Sequence, residues 1–101
     1  MNFSEETILK AYAMGIFPMS ENYNDSNIYW INPEKRGIIP LDDFKISKSL
    51  RKQIKKKKFK ITFNKKFEEV INSCAKKTNK RPSTWINKKI INVYSNLNKL
   101  G

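Results

Sequence analysis

The sequence predicts an α+β fold, and three observations carry that reading. Apolar residues recur at helical spacing in separate stretches, and between them lie segments only four or five residues long that run apolar or alternate with polar residues. In addition, 39% of the 101 residues are hydrophobic and 12% are aromatic, enough for a packed core rather than a disordered chain.

The elements follow in order. Ser4 suits the N-cap of a first helix over 5–14, Glu5 and Glu6 favour the positive end of its dipole, and Ile8, Leu9 and Tyr12 share helical spacing. Gly15 fits the position just past the helix end, so the stretch AYAMGIFPM (11–19) reads as a helix end feeding an apolar turn. Residues 20–27, SENYNDSN, are turn-formers and predict an exposed loop. IYWI (28–31) and GIIPL (37–41) read as two short strands around an NPEKR turn, with Pro40 confining the second to an edge or its end. Ser47 caps a second helix over 48–57, and FKITF (59–63) alternates as a half-buried strand. Asn64 is placed to cap a third helix over 65–77, whose Phe67, Val70, Ile71, Cys74 and Ala75 give the clearest helical periodicity in the chain. After the loop TNKRPST, Trp85 and Ile86 precede Asn87, the expected cap of a fourth helix with Ile90, Val93, Tyr94 and Leu97 along one stripe.

Composition removes several kinds of chemistry. The chain has no histidine and one cysteine, Cys74, so a Ser-His or Cys-His nucleophile, an internal disulfide and the usual zinc ligand sets are all excluded. Cys74 itself lies in the stripe of the third helix and is expected to be inert packing. The three glycines are isolated, so no glycine-rich phosphate loop is present. No run of 18 apolar residues predicts a membrane span, and the N-terminal residues lack the pattern of a targeting segment, which points to a cytoplasmic protein. Glu68, Glu69, Asp42 and Asp43 form no spaced pair suited to acid–base catalysis.

Charge is distributed unevenly. The net charge is +12, yet residues 1–43 hold three basic and seven acidic residues, whereas 44–101 hold eighteen basic and two acidic ones. Such a second half suits a polyanion, nucleic acid above all. AT-rich coding, which raises Lys, Asn and Ile together, accounts for part of the lysine excess. Nine basic residues fall between 45 and 60 with no acid among them. On a helical wheel Lys48, Arg51, Lys52, Lys55 and Lys56 gather on one face while Leu50 and Ile54 take the other, so the helix is expected to dock by its apolar side and display its cations. A solvated outer face is the alternative. Phe17 and Trp30 are expected in the core, and Trp85, between a polar loop and a helix cap, at a pocket rim. The residues by themselves therefore reach an α+β domain that binds a polyanion, with a non-catalytic nucleic-acid-binding module as one reading.

Four segments together resemble the bacterial leucyl/phenylalanyl-tRNA–protein transferases: AYAMGIFPM, then YWINPEKRGIIPLDDFKISKSLRK, then the Phe67–Val70–Ile71–Cys74–Ala75 pattern, then TWINKKIINVYSNLNKLG. They stand in the family's order and spacing over residues 8–101. The resemblance implies transfer of Leu or Phe from aminoacyl-tRNA to the N-terminal Lys or Arg of acceptor proteins, marking them for degradation, without cofactor or metal. It implies that Tyr12, Met19, Trp85 and Tyr94 surround the aminoacyl or adenosine end of the charged tRNA. It likewise places Lys48, Lys52, Lys55 and Lys56, and with them Arg51, on the tRNA acceptor stem. The implied fold is a small N-terminal domain (1–34) plus the first part of an acetyltransferase-like (GNAT-type) domain (35–101), a monomer away from the membrane. The family pattern continues past Leu100-Gly101 into a HAHSxE strand, so the catalytic residues are expected in that further half, and the 101 residues alone are expected to be inactive.

Overall fold

The computed structural model describes residues 2–101. Four helices and one two-stranded sheet follow in the order α1 (Glu5–Ala13), β1 (Phe17–Met19), β2 (Tyr29–Ile31), α2 (Lys48–Lys55), α3 (Phe67–Ala75) and α4 (Lys88–Leu100). The predicted α+β class is what the chain adopts.

α1 begins where Ser4 Oγ accepts from the Thr7 amide at 3.3 Å, and ends in a Schellman motif. There the Gly15 amide donates to the Tyr12 carbonyl at 3.0 Å and the Ile16 amide to the Ala11 carbonyl at 2.9 Å. Gly15 has φ of 76°, the left-handed conformation that glycine adopts without a Cβ clash. The chain emerges directly into β1, which pairs antiparallel with β2 in the register Phe17–Ile31, Pro18–Trp30 and Met19–Tyr29. β1 was hidden in the sequence because a three-residue strand containing proline shows no alternation; in a two-stranded sheet both strands are edges, so Pro18 can face away from the ladder.

The partner expected for β2, residues 37–41, forms no strand. Pro40 removes a ladder donor, and Ile38, Ile39 and Leu41 are exposed. Residues 59–63 also form no strand, because no neighbouring segment completes a ladder; Phe59, Ile61 and Phe63 lie open to solvent.

α3 is shorter than expected. Asn64 has φ of 58° and does not cap; Lys66 takes the N-cap position without a side-chain bond, and α3 runs from Phe67. Only Ile71 and Ala75, one turn apart, are buried, while Val70 and Cys74 on the neighbouring stripe are exposed. The expectation that Cys74 is core packing is therefore corrected: α3 packs on α4 by a narrow seam, and Cys74 falls about 100° round from it. Ile71, Ala75, Ile86 and Ile90 form the core cluster, with Phe3, Ile28, Phe67, Ile91 and Tyr94 packed at its edge. Phe17 and Trp30, expected in the core, are half-buried, and the Trp30 ring meets that of Phe3 at 6.0 Å between centroids.

By internal contacts the chain forms two compact units: residues up to Asn32 together with Asn64–Gly101, and Pro33–Phe63. The first carries α1, both strands, α3 and α4; the second carries α2.

Candidate substrate-binding residues and family membership

α4 fixes the position of Tyr94 through its own start. Asn87, almost wholly buried, accepts the Ile90 amide on Oδ1 at 2.9 Å and donates from Nδ2 to the Asp25 carbonyl at 2.9 Å. One side chain thus caps α4 and ties the 20–27 loop to it. α4 then packs along α1, where Asn96 Nδ2 donates to Glu5 Oε1 at 2.7 Å. The Glu5 carboxyl sits below its ordinary range, first through its backbone hydrogen bond and then through Asn96.

On the same two helices the hydroxyls of Tyr12 and Tyr94 hydrogen-bond to each other, and their rings meet edge to face at 6.3 Å and 84°. Tyr94 is half-buried and Tyr12 is 50% exposed. Burial, and then the bond to Tyr12, hold the Tyr94 phenol above its ordinary range, so it is neutral across the physiological span. Two hydroxyls sharing one bond retain one further hydrogen to donate and free lone pairs to accept. The pair can therefore offer both a donor and an acceptor to a bound group.

Met19 closes β1, and the amide of the next residue, Ser20, donates to the Trp85 carbonyl at 2.9 Å. Trp85 stands between buried Thr84 and Ile86, and Thr84 Oγ1 accepts the Ile86 amide at 3.2 Å. With both neighbours turned inward, Trp85 is left 43% exposed. The structure thus joins the expected site residues as two pairs, Tyr12 with Tyr94 through side chains and Met19 with Trp85 through the backbone of Ser20. The Ser20–Trp85 bond and the Asn87–Asp25 tie were not visible in the sequence, because neither partner carries a local signal for a contact more than 60 residues away.

In the Pro33–Phe63 unit, Ser47 Oγ accepts the Leu50 amide at 3.1 Å and starts α2. Lys48, Arg51, Lys52 and Lys55 lie on α2 and Lys56 is its C-cap, all exposed. The described ion pairs, Lys10–Glu6, Lys66–Glu69 and Lys99–Glu68, involve none of these five. The expected docking face is corrected: Leu50 and Ile54 are 43% and 56% exposed, and α2 buries no residue. Among the described residues no helix is long and apolar enough to cross a membrane.

The first unit thus carries the paired Tyr12 and Tyr94 hydroxyls, and the Pro33–Phe63 unit carries the exposed cations of α2. The family model for the leucyl/phenylalanyl-tRNA protein transferase N-terminal domain matches residues 1–34, and the model for leucyl/phenylalanyl-tRNA protein transferase matches residues 38–101. A leucyl/phenylalanyl-tRNA–protein transferase of Maricaulis maris is 46% identical over 99 residues, covering 98% of this chain and 46% of that protein. One from Rhizorhabdus wittichii is 43% identical over 96 residues, covering 95% of this chain and 39% of that protein. No solved structure matches. The chain belongs to the leucyl/phenylalanyl-tRNA–protein transferase family, and it spans less than half the length of these curated relatives.

Proposed function

We propose that the chain serves a leucyl/phenylalanyl-tRNA–protein transferase, moving Leu or Phe from aminoacyl-tRNA to the N-terminal Lys or Arg of proteins in the cytoplasm and so marking them for degradation. The observation that carries the reading is the match to both family models, in order, along nearly the whole chain. On this reading Tyr12, Tyr94, Met19 and Trp85 border the aminoacyl or adenosine end. The Tyr12–Tyr94 pair supplies hydroxyls to the ester-linked amino acid or the ribose, and Trp85 supplies an exposed aromatic face for stacking. Lys48, Arg51, Lys52, Lys55 and Lys56 hold acceptor-stem phosphates. They position the backbone and carry no sequence readout.

The reaction is aminolysis. The α-amine nitrogen of the acceptor attacks the ester carbonyl, the carbon–oxygen bond to the tRNA breaks, and the amine proton leaves with the ribose hydroxyl. Positioning of two substrates supplies the rate, with no cofactor or covalent intermediate. The reading also assigns residues 1–34 to a small N-terminal domain and 35–101 to the first part of a GNAT-type domain, acting as a monomer.

The test is transfer of labelled Leu from charged tRNA to a peptide beginning with Arg, by a polypeptide that joins this chain to the part of the family's length it does not span. Transfer is expected there and none from the 101 residues alone. No transfer by the joined polypeptide overturns the reading. The exposed cations of α2 favour a second reading, a non-catalytic tRNA-binding module. Equal affinity for charged and uncharged tRNA supports that module, and preference for the Leu- or Phe-charged form speaks for the transferase.

A further inference from the structure

α4 opens against the electrostatic preference of a helix. Its first turn holds Lys88 and Lys89 and no acid, where the positive end of the dipole favours Asp or Glu. α1 and α3 each carry two glutamates at that place. Lys88 and Lys89 are exposed and enter none of the described ion pairs.

A second cation pair lies at the end of α3. Ala75, its last residue, shares the core cluster with Ile86 and Ile90, which seats the end of α3 against the start of α4. Just past Ala75, Lys76 and Lys77 are exposed and also outside the described ion pairs. Tyr23 joins the two pairs: it lines one groove with Lys88 and Lys89 and another with Lys76 and Lys77. The carbonyls ending α3, which would oppose an anion, are taken up. Arg81 Nη2 donates to the Ser73 carbonyl at 3.1 Å and to the Lys76 carbonyl at 2.9 Å. The one acid lining either groove, Asp25, accepts the Asn27 amide on Oδ1 at 3.0 Å. Residues 76–89 hold six basic residues and no acidic one.

Cations that weaken their own helix and stay unpaired are a local conflict of the kind found at functional surfaces. Two lysine pairs set about an aromatic ring suit a chain of phosphates with bases between them. We propose that Lys76, Lys77, Lys88 and Lys89, around Tyr23, form a second contact for the tRNA backbone, on the unit that does not carry α2. The inference rests on the proposed tRNA substrate and adds to it a surface that does not depend on the aminoacyl group.

The test is filter binding of uncharged tRNA to the 101-residue chain over a salt series. Lys88→Gln with Lys89→Gln, and separately Lys76→Gln with Lys77→Gln, are each expected to flatten the log–log slope by roughly 1.4 to 1.8. The first variant is also expected to raise the urea midpoint, because two cations leave the positive end of α4. Weaker binding by a more stable chain separates contact from folding. Lys66→Gln with Lys99→Gln, whose cations are already paired with Glu69 and Glu68, is the control for net charge and is expected to leave the slope nearly unchanged. An unchanged slope in either cluster variant, while Lys52→Gln with Lys55→Gln flattens it, overturns this contact and leaves the tRNA reading standing. Equal flattening by the control overturns it as well, since net charge alone would then be the cause. Polyglutamate binding that the cluster variants lose while tRNA binding holds overturns it in favour of an acidic polypeptide partner. No tRNA binding by the unaltered chain overturns both readings.

Discussion

Tyr94 meets Tyr12 with both its ring and its hydroxyl, while its body packs at the edge of the core cluster. Removing either hydroxyl breaks the same bond, so Tyr12→Phe and Tyr94→Phe should each cost about 1 kcal/mol, with the double variant costing much less than the sum. Urea denaturation of the four members of that cycle checks it. The raised Tyr94 pKa also sets a pH dependence. In the unfolded chain the phenol ionises at about pH 10, while in the fold it holds its proton longer. The unfolded state therefore binds fewer protons as pH rises past that value. The stabilisation is whole below it and falls above it. A urea midpoint that drops between about pH 9 and 11, and drops less in Tyr94→Phe, is the expected result. Position 94 as one point on a helical stripe was legible in the sequence. Its bond to Tyr12, 82 residues away, was not, because spacing along one helix says nothing about which helix lies opposite.

Among the elements, α2 and α4 mark the two extremes. α4 has its cap, a buried face and a tie to the 20–27 loop through Asn87. Asn87→Ala removes the cap and leaves the Asp25 carbonyl unpaired, for a loss of about 2 kcal/mol. Asn87→Ser keeps a capping oxygen and loses only the tie, for about half as much. Chemical denaturation of the two variants side by side separates the roles. α2 has a sound cap in Ser47 but buries no residue, and eight residues are too few to hold a helix by backbone bonds alone. Amide exchange over Lys48–Lys55 should therefore run at least about tenfold faster than over Ile90–Ser95 in the chain by itself. The caps at Ser4, Ser47 and Asn87 were readable because a side-chain oxygen and the amide two or three residues on are a local pair. Asn64 failed because the turn leading into α3 needed a residue with positive φ there, which asparagine tolerates and which takes its side chain out of capping geometry.

Across the chain as a whole, a net charge of +12, concentrated after residue 43, would govern the encounter with tRNA that the proposed function requires. Each phosphate neutralised contributes roughly 0.7 to 0.9 to the log–log salt slope. Lys52→Gln with Lys55→Gln should flatten that slope by roughly 1.4 to 1.8 while leaving the fold intact, since both side chains are exposed. Filter binding of tRNA over a salt series measures it. An unchanged slope would remove α2 from the interface.

Features that depend on near neighbours were legible before folding: the α+β class, the four helices and most of their caps, the glycine that ends α1, the cationic stripe of α2 and the family motifs. Each is set by spacing within one turn or by a residue's own backbone preference. Tertiary structure alone decided what depends on a partner. It paired β2 with Phe17–Met19 instead of with 37–41, turned Cys74 outward, left Leu50, Ile54 and the FKITF row uncovered, and brought Tyr12 to Tyr94. A strand exists only where a second strand supplies its hydrogen bonds, and an apolar face is buried only where another face meets it. Residues 59–63 have the pattern of a strand and, in this chain, no partner to make them one.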